Sequence, residues 1–294
     1  MIPDAWKEAG KISAEALDLA RGLIKPGLKI LDLALEVEGF IERKADIALP
    51  CVISVDNIAC HFSPYFGDET VLEKGSVVSV DTGACVDGYI GDNCITVEVG
   101  NGNEHTELIK ASREALDVAL EEVRPGMPIT KPADFMSQVI IQSGFRVVPE
   151  LTGHFVERYC VHTPPPIPTM PHPHFNKVSK GTFEIGHVAT FEPFATTGNG
   201  RIEWSGNSHL IALEMLPPNA TLNPTEQKIV DRYSKTGGFA SVRWLSNDEI
   251  DALGYNIQTM TISKEQDPDA FVSYFEKMFL ITENGAEVLT PWKG

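Results

Sequence analysis

Two aspartates in one short stretch carry the first chemical signal. Asp81 lies inside an apolar run (VVSVDTG) and Asp92 in the run that follows it (YIGDNCITV). An ionised carboxylate in such a setting is costly unless it is paired. The β-branched residues across 76–99, broken at Asp87-Gly88, are a hairpin signal. A turn centred on Val86-Asp87 puts Asp81 opposite Asp92, and a turn at Asp87-Gly88 makes them diagonal neighbours. Either register places both on one face of the hairpin, with Cβ atoms roughly 4.5–8 Å apart. Two bare carboxylates at that distance repel until one protonates, and a divalent cation between them removes the conflict. Solvated edge residues or hydrogen-bonded turn formers would leave the same pattern in the sequence.

Four more segments add donors. His154 follows Gly153 in LTGHFVERYCVH, with His162 eight residues on. Glu192 stands between aromatics in ATFEPF, Glu276 repeats that setting in SYFEKMFLI, and His61 lies in ACHFSP. Each is a weak signal alone, since a lone histidine more often satisfies a core or surface contact than a metal. Together they supply two Asp, two Glu and at least one His in apolar, strand-like settings. An oxygen-rich set with one imidazole suits two hydrolytic divalent metals better than a structural zinc. The five cysteines (Cys51, Cys60, Cys85, Cys94 and Cys160) contain no CxxC pair, which speaks against both a disulfide framework and a thiolate zinc site.

The elements that must hold these groups can be read from periodicity. Residues 4–22 and 28–44 carry apolar positions at helical spacing, separated by Pro26-Gly27. Residues 49–55 form a short strand, and the hairpin follows. Helices are predicted over 104–123 and 130–143, separated by Pro125-Gly126. Lys25-Pro26-Gly27 and Arg124-Pro125-Gly126 thus link two similar helix pairs, a weak hint of internal symmetry. The Pro-dense stretch 163–173 is expected to be an extended loop and neither a helix nor a central strand. Phe183 to Phe194 reads as strand. Residues 218–270 change character, with a helical stretch bracketed by prolines, and 270–289 returns to strand around the turn dipeptide Asn284-Gly285.

Composition bounds the partners. The chain has 294 residues, 43% of them hydrophobic, and a formal net charge of −17, so nucleic acid and anionic membranes would repel it. No run approaches transmembrane length. The start, Met1-Ile2-Pro3-Asp4, lacks a basic segment followed by an apolar one, so no signal peptide and a cytoplasmic location are expected.

In the order Asp, Asp, His, Glu, Glu, within SVDTG, YIGDNCIT, LTGH, FEPF and YFE, the sequence resembles the methionine aminopeptidases of the pita-bread fold, most closely the type II branch in its short archaeal form. The resemblance runs from KEAGKISAEALDLAR through ACHFSP, VERYCVH and GFASVRWL (238–245) to Glu276 and beyond. It implies an α+β architecture: a pseudo-two-fold, curved antiparallel sheet with outer helices over 1–210 and 270–294, and a small helical, winged-helix-like insertion over 211–269. It implies Asp81, Asp92, His154, Glu192 and Glu276 as metal ligands, with Asp92 and Glu276 bridging two divalent ions (cobalt, manganese, iron or zinc). His61 and His162 would contact substrate and assist proton transfer, with Glu192 as acid–base. The implied activity is removal of the initiator methionine from nascent proteins and peptides with a small second residue, by a hydroxide activated by the two ions. The implied partners are nascent polypeptide N-termini, with the ribosome nearby; the chain would act as a monomer, without membrane or specific nucleic acid. Two departures stand out: Lys277 sets a cation beside Glu276, expected to weaken or tune metal binding, and Thr152 lies close to His154. A catalytically silent binding relative would have lost ligands, whereas all five positions are present here. A proline-specific dipeptidase is the other enzyme reading, separable by comparing Met-Ala-Ser with Ala-Pro.

Overall fold

The computed structural model describes residues 3–100, 102–254 and 256–293. The chain opens with α1 (Asp4–Leu23) and α2 (Ile30–Glu42), followed by β1 (Asp46–Val55), β2 (Ile58–Cys60) and the hairpin β3 (Val77–Val86) and β4 (Tyr89–Glu98). A second helix pair, α3 (Thr106–Glu122) and α4 (Pro132–Gln142), leads through β5 (Arg146–Val147) into the hairpin β6 (Thr152–Glu157) and β7 (Cys160–Pro168). After α5 (Phe175–Val178) come β8 (Val188–Phe191), β9 (Phe194–Thr196), β10 (Ile202–Ser205) and β11 (Leu210–Ala212). Then follow α6 (Pro224–Tyr233), β12 (Phe239–Ser241), α7 (Asn247–Asp251) and β13 (Ile262–Glu265). The chain closes with β14 (Val272–Tyr274), β15 (Glu276–Thr282) and β16 (Gly285–Val288).

The main sheet is antiparallel, in the order β1-β3-β4-β15-β8-β6-β7, with β16 also paired to β15. The helix pairs pack their apolar stripes on it, and Leu17, Ile30, Leu33, Ile41, Ile53, Phe183, Phe191 and Phe279 are wholly buried in one continuous core. The two halves repeat in detail. Gly27 (φ 83°) and Gly126 (φ 84°) both turn the chain between helices in the left-handed region that glycine tolerates. The Gly27 amide donates to the Leu72 carbonyl at 2.8 Å, and the Gly126 amide to that of Phe183 at 2.7 Å. The repeated Pro-Gly links of the sequence are therefore equivalent corners of a pseudo-symmetric body.

The β3–β4 register settles the hairpin. Val86 pairs with Tyr89, so Asp87 (φ 52°) and Gly88 (φ 82°) are the turn, both in the left-handed conformation that matches the strand twist. Asp81 then faces Cys94 and Asp92 faces Gly83, which makes the two aspartates diagonal neighbours on one face. On the other face lies α1. Its Ala9-Gly10 backbone touches Gly91 so closely that a Cβ there would overlap it, and Ser13 donates to the Thr82 carbonyl (3.1 Å) and bonds the Asn93 side chain.

The Pro-dense stretch corrects the loop expectation. Residues up to Pro168 belong to β7, the outermost strand of the main sheet. An edge strand needs amides on one side only, so Pro164, Pro165, Pro166 and Pro168 cost few ladder bonds there. The expected strand over Phe183–Phe194 is shorter and split, into β8 and β9. Between 211 and 269, β11 and β12 form a small ribbon, α6 and α7 begin with reciprocal capping boxes (Asn223/Glu226 and Ser246/Glu249), and β13 pairs with β10 and β2.

Candidate metal centre and active site

Adjacent strands of the main sheet each present one group to a common cavity. Asp81 comes from β3, Asp92 from β4, Glu276 opens β15, Glu192 follows β8 directly, and His154 lies on β6. His154 Nε2 is 3.4 Å from Glu192 Oε1, 3.7 Å from Glu276 Oε1 and 3.8 Å from Asp92 Oδ2. One donor atom from each of Asp92, His154 and Glu276 fits within a 4.8 Å cluster, and Asp81 and Glu192 line the same cavity. Two glycines make room. A Cβ on Gly153 would overlap the Thr190 carbonyl oxygen, so glycine lets β6 lie against β8 and bring His154 in. Gly91 does the same for β4 beneath α1.

The electrostatics are those of a cation site. Asp92 and Glu276 are each only 2% exposed, and Asp81 Oδ1, Asp92 Oδ1 and Glu276 Oε1 are buried without a hydrogen-bond partner. Burial pushes the Asp92 carboxyl up to about 6. Burial, reinforced by the neighbouring carboxylates, holds Asp81, Glu192 and Glu276 well above the ordinary carboxylate range. Burial drives His154 well below the usual histidine value, which leaves a neutral imidazole able to act as a ligand. Carboxylates that resist charging and orphaned acceptor oxygens around one imidazole fit hard or borderline divalent metal ions.

The supporting groups are less visible in sequence. The Tyr274 hydroxyl donates to Asp81 Oδ2 at 3.0 Å, and Tyr274 is itself fixed by stacking on Phe194, with ring centroids 4.2 Å apart. Strand alternation puts Tyr274 and Glu276 on one face, the only signal the sequence holds for it. The Thr190 hydroxyl accepts from the His154 amide at 3.4 Å. Glu214 and Arg243, both distant in sequence from the cluster, bond His162 and the chain beside His61 respectively.

Both expected substrate histidines line the cavity, which has a volume of about 390 Å³. His61 sits in the left-handed region (φ 71°), with Nδ1 3.3 Å from Ser263 Oγ, and burial lowers its pKa to about 4. The His162 ring meets His154 edge-on at 4.3 Å, and its Nδ1 is bonded to Glu214. Burial lowers the His162 pKa, but the bond and charge of Glu214, with Asp92, outweigh it and the net shift is upward. Leu49, Val52, Leu210, Phe239 and Met260, which belong to one apolar cluster, form a greasy wall of the same cavity.

Lys277 does not enter this site, contrary to the expectation of a cation beside the ligands. Its Nζ lies 4.1 Å from the Trp292 ring centre and 3.5 Å from Asp117 Oδ1, on the helix side of the sheet. Thr152 lines the cavity.

The family model for metallopeptidase family M24 matches residues 4–243. The chain belongs to metallopeptidase family M24. It is 34% identical to a methionine aminopeptidase of Methanocaldococcus jannaschii over 293 residues, 96% of each chain. A methionine aminopeptidase of Archaeoglobus fulgidus is 39% identical over 242 residues, covering 81% of this chain and 79% of the relative. Among solved structures, the methionine aminopeptidase of Thermotoga maritima superposes with a TM-score of 0.72 at 24% identity, covering 98% of this chain and 95% of its own. A thermophilic Arx1 superposes with a TM-score of 0.84 at 20% identity, covering 99% and 91%. These two likenesses bear on the fold, the pita-bread arrangement of the M24 family, and divalent metal is the cofactor to which the buried cluster is suited.

Proposed function

We propose that the protein removes N-terminal methionine from polypeptides as a metal-dependent aminopeptidase. The observation that carries this is the largely buried, unneutralised set Asp81, Asp92, His154, Glu192 and Glu276, opening into a cavity with one apolar wall and two histidines. Curated methionine aminopeptidases matched over nearly the whole chain support the substrate. In this reading the five residues would hold two divalent ions. When bound, such ions polarise a carbonyl and acidify water. Glu192, a partly open carboxylate at 13% side-chain exposure, takes a proton from the attacking water and returns it to the leaving nitrogen. His162 turns its Nε2 to the developing oxyanion and donates to it when the ring is protonated on both nitrogens, and His61 steadies the departing amide. The apolar wall around Leu210 and Phe239 accepts an unbranched methionine side chain.

Residues 211–269 are read as an insertion that completes this wall. The partners are nascent-chain N-termini, met near the ribosome by a cytoplasmic monomer. Among the described residues no helix is long and apolar enough to cross a membrane.

The test is release of methionine from Met-Ala-Ser by protein reloaded with manganese or cobalt, beside Asp81→Ala and Glu276→Ala. Wild-type turnover abolished in both variants is expected. Equal turnover in the variants with two metals still bound would sink the ligand assignment, and cleavage of Ala-Pro alone would favour the dipeptidase reading.

A further inference from the structure

We infer that Glu214 is a positioning residue that fixes the ring and tautomer of His162, so that the segment between the last two proposed ligands supplies a working part of the active site. This rests on the aminopeptidase reading for its catalytic consequence, though not for its geometry.

Glu214 grips His162 at two points. Its Oε1 bonds the ring Nδ1, and its Oε2 accepts from the His162 main-chain amide at 3.4 Å. A side chain held to both the ring and the backbone of one residue sets the ring torsion as well as its distance. The carboxylate is itself well placed. Glu214 lies in the short 3-10 turn Leu213–Met215, whose first amide donates to the Gly238 carbonyl at 2.7 Å, and Ala212 pairs with Phe239 in the preceding ribbon. Phe239 in turn meets the His162 ring edge-on, at 5.4 Å between centroids, and His154 meets it edge-on from another direction. The ring is thus clamped by one carboxylate and two aromatic neighbours.

The tautomer follows from the partner. An ionised carboxylate only accepts, so the Nδ1 of His162 must carry a proton and donate. The free ring nitrogen for a bound substrate is then Nε2, always the same atom in the same direction. Without Glu214 the neutral ring would divide between two tautomers and more than one torsion, and the reacting group would meet the wrong nitrogen part of the time. Neither the spacing nor the composition around Glu214 marks it, because it is 52 residues from its partner.

The experiment compares Glu214→Ala and Glu214→Gln in wild-type and His162→Ala backgrounds, using Met-Ala-Ser and metal-reloaded protein. Glu214→Ala should lower kcat by about tenfold to a hundredfold with KM changed less than about threefold. Glu214→Gln, which keeps an oxygen acceptor, should recover most of that loss. In the His162→Ala background Glu214→Ala should add less than about a twofold effect. A loss just as large without His162 would overturn the proposal, as would an Ala variant with unchanged kcat. A second readout needs no turnover: two-dimensional NMR of the histidine ring nitrogens in metal-free protein. His162 should show a protonated Nδ1 in the wild type and a tautomer mixture in Glu214→Ala. An identical pattern in both would overturn the proposal, whereas an inactive wild type with the expected NMR change would overturn only the aminopeptidase reading.

Discussion

Glu276 and Lys277 are neighbours in β15 and face opposite sides of the sheet: the carboxylate joins the buried cluster, and the ammonium lies over Trp292 and beside Asp117. The period-2 alternation of a strand separates two charges that are adjacent in sequence. Lys277→Met should therefore leave manganese affinity within about threefold of wild type, and cost at most about 1 kcal/mol of stability from its partly exposed contacts. Isothermal titration and urea unfolding of the same preparation would check both; a large change in affinity would mean that Lys277 reaches the site.

The close approach of β6 and β8 gives a second prediction. Gly153→Ala places a methyl group against the Thr190 carbonyl, and the two strands must part. His154 moves with β6, so metal affinity should fall by more than about tenfold while the protein still folds. Metal titration followed by circular dichroism separates the two effects.

The buried carboxylates predict a pH dependence with a definite sign. Burial raises Asp92 to about 6 in the fold, above the value of about 4 of an exposed aspartate. In that window the metal-free fold keeps a proton that the unfolded chain has released, so its stability falls as pH rises from about 4 through 6. Asp92→Asn removes this slope. In EDTA, wild type should lose stability relative to Asp92→Asn between about pH 3.5 and 6.5, by on the order of 1.4 kcal/mol for each unit of raised pKa. With saturating manganese the order should reverse, because a bound cation favours the charged carboxylate. Parallel urea titrations across that range, with and without metal, provide the measurement.

Arg243 gives a fourth. It is 6% exposed and bonds Glu38, Ser63 Oγ, the Pro64 carbonyl and Ser241 Oγ, the last three at 2.7 Å each. It joins α2, the chain just after His61 and the β11–β12 ribbon. Arg243→Met leaves the buried Glu38 without its cation, held only by the Cys51 amide and the Trp244 indole, and should cost about 3 kcal/mol. The companion Glu38→Leu/Arg243→Met pair should recover much of that loss in chemical denaturation, though not the register of His61.

Much of this was legible in sequence because it is local. Helix periods, the Asp87-Gly88 turn and the strand setting of Asp81 and Asp92 depend on neighbours within a few residues. The hairpin fixed two aspartates on one face before any fold was considered, and the turn geometry then chose between two registers. Glu214, Tyr274 and Arg243 were not legible, since each acts on a group 52 or more residues away and sits in an unremarkable local context. The direction of Lys277 was available from strand alternation alone. The prolines of β7 misled because they exclude a central strand without excluding an outer one.

That outer strand has a consequence for the molecule in a crowded solution. A sheet margin normally offers a row of free amides on which another chain can pair, and amyloid-like stacking begins from such margins. Pro164, Pro165, Pro166 and Pro168 remove those donors along the part of β7 that follows His162. The catalytic sheet can thus end beside its own cavity, open to an incoming chain end, without becoming a template for self-association.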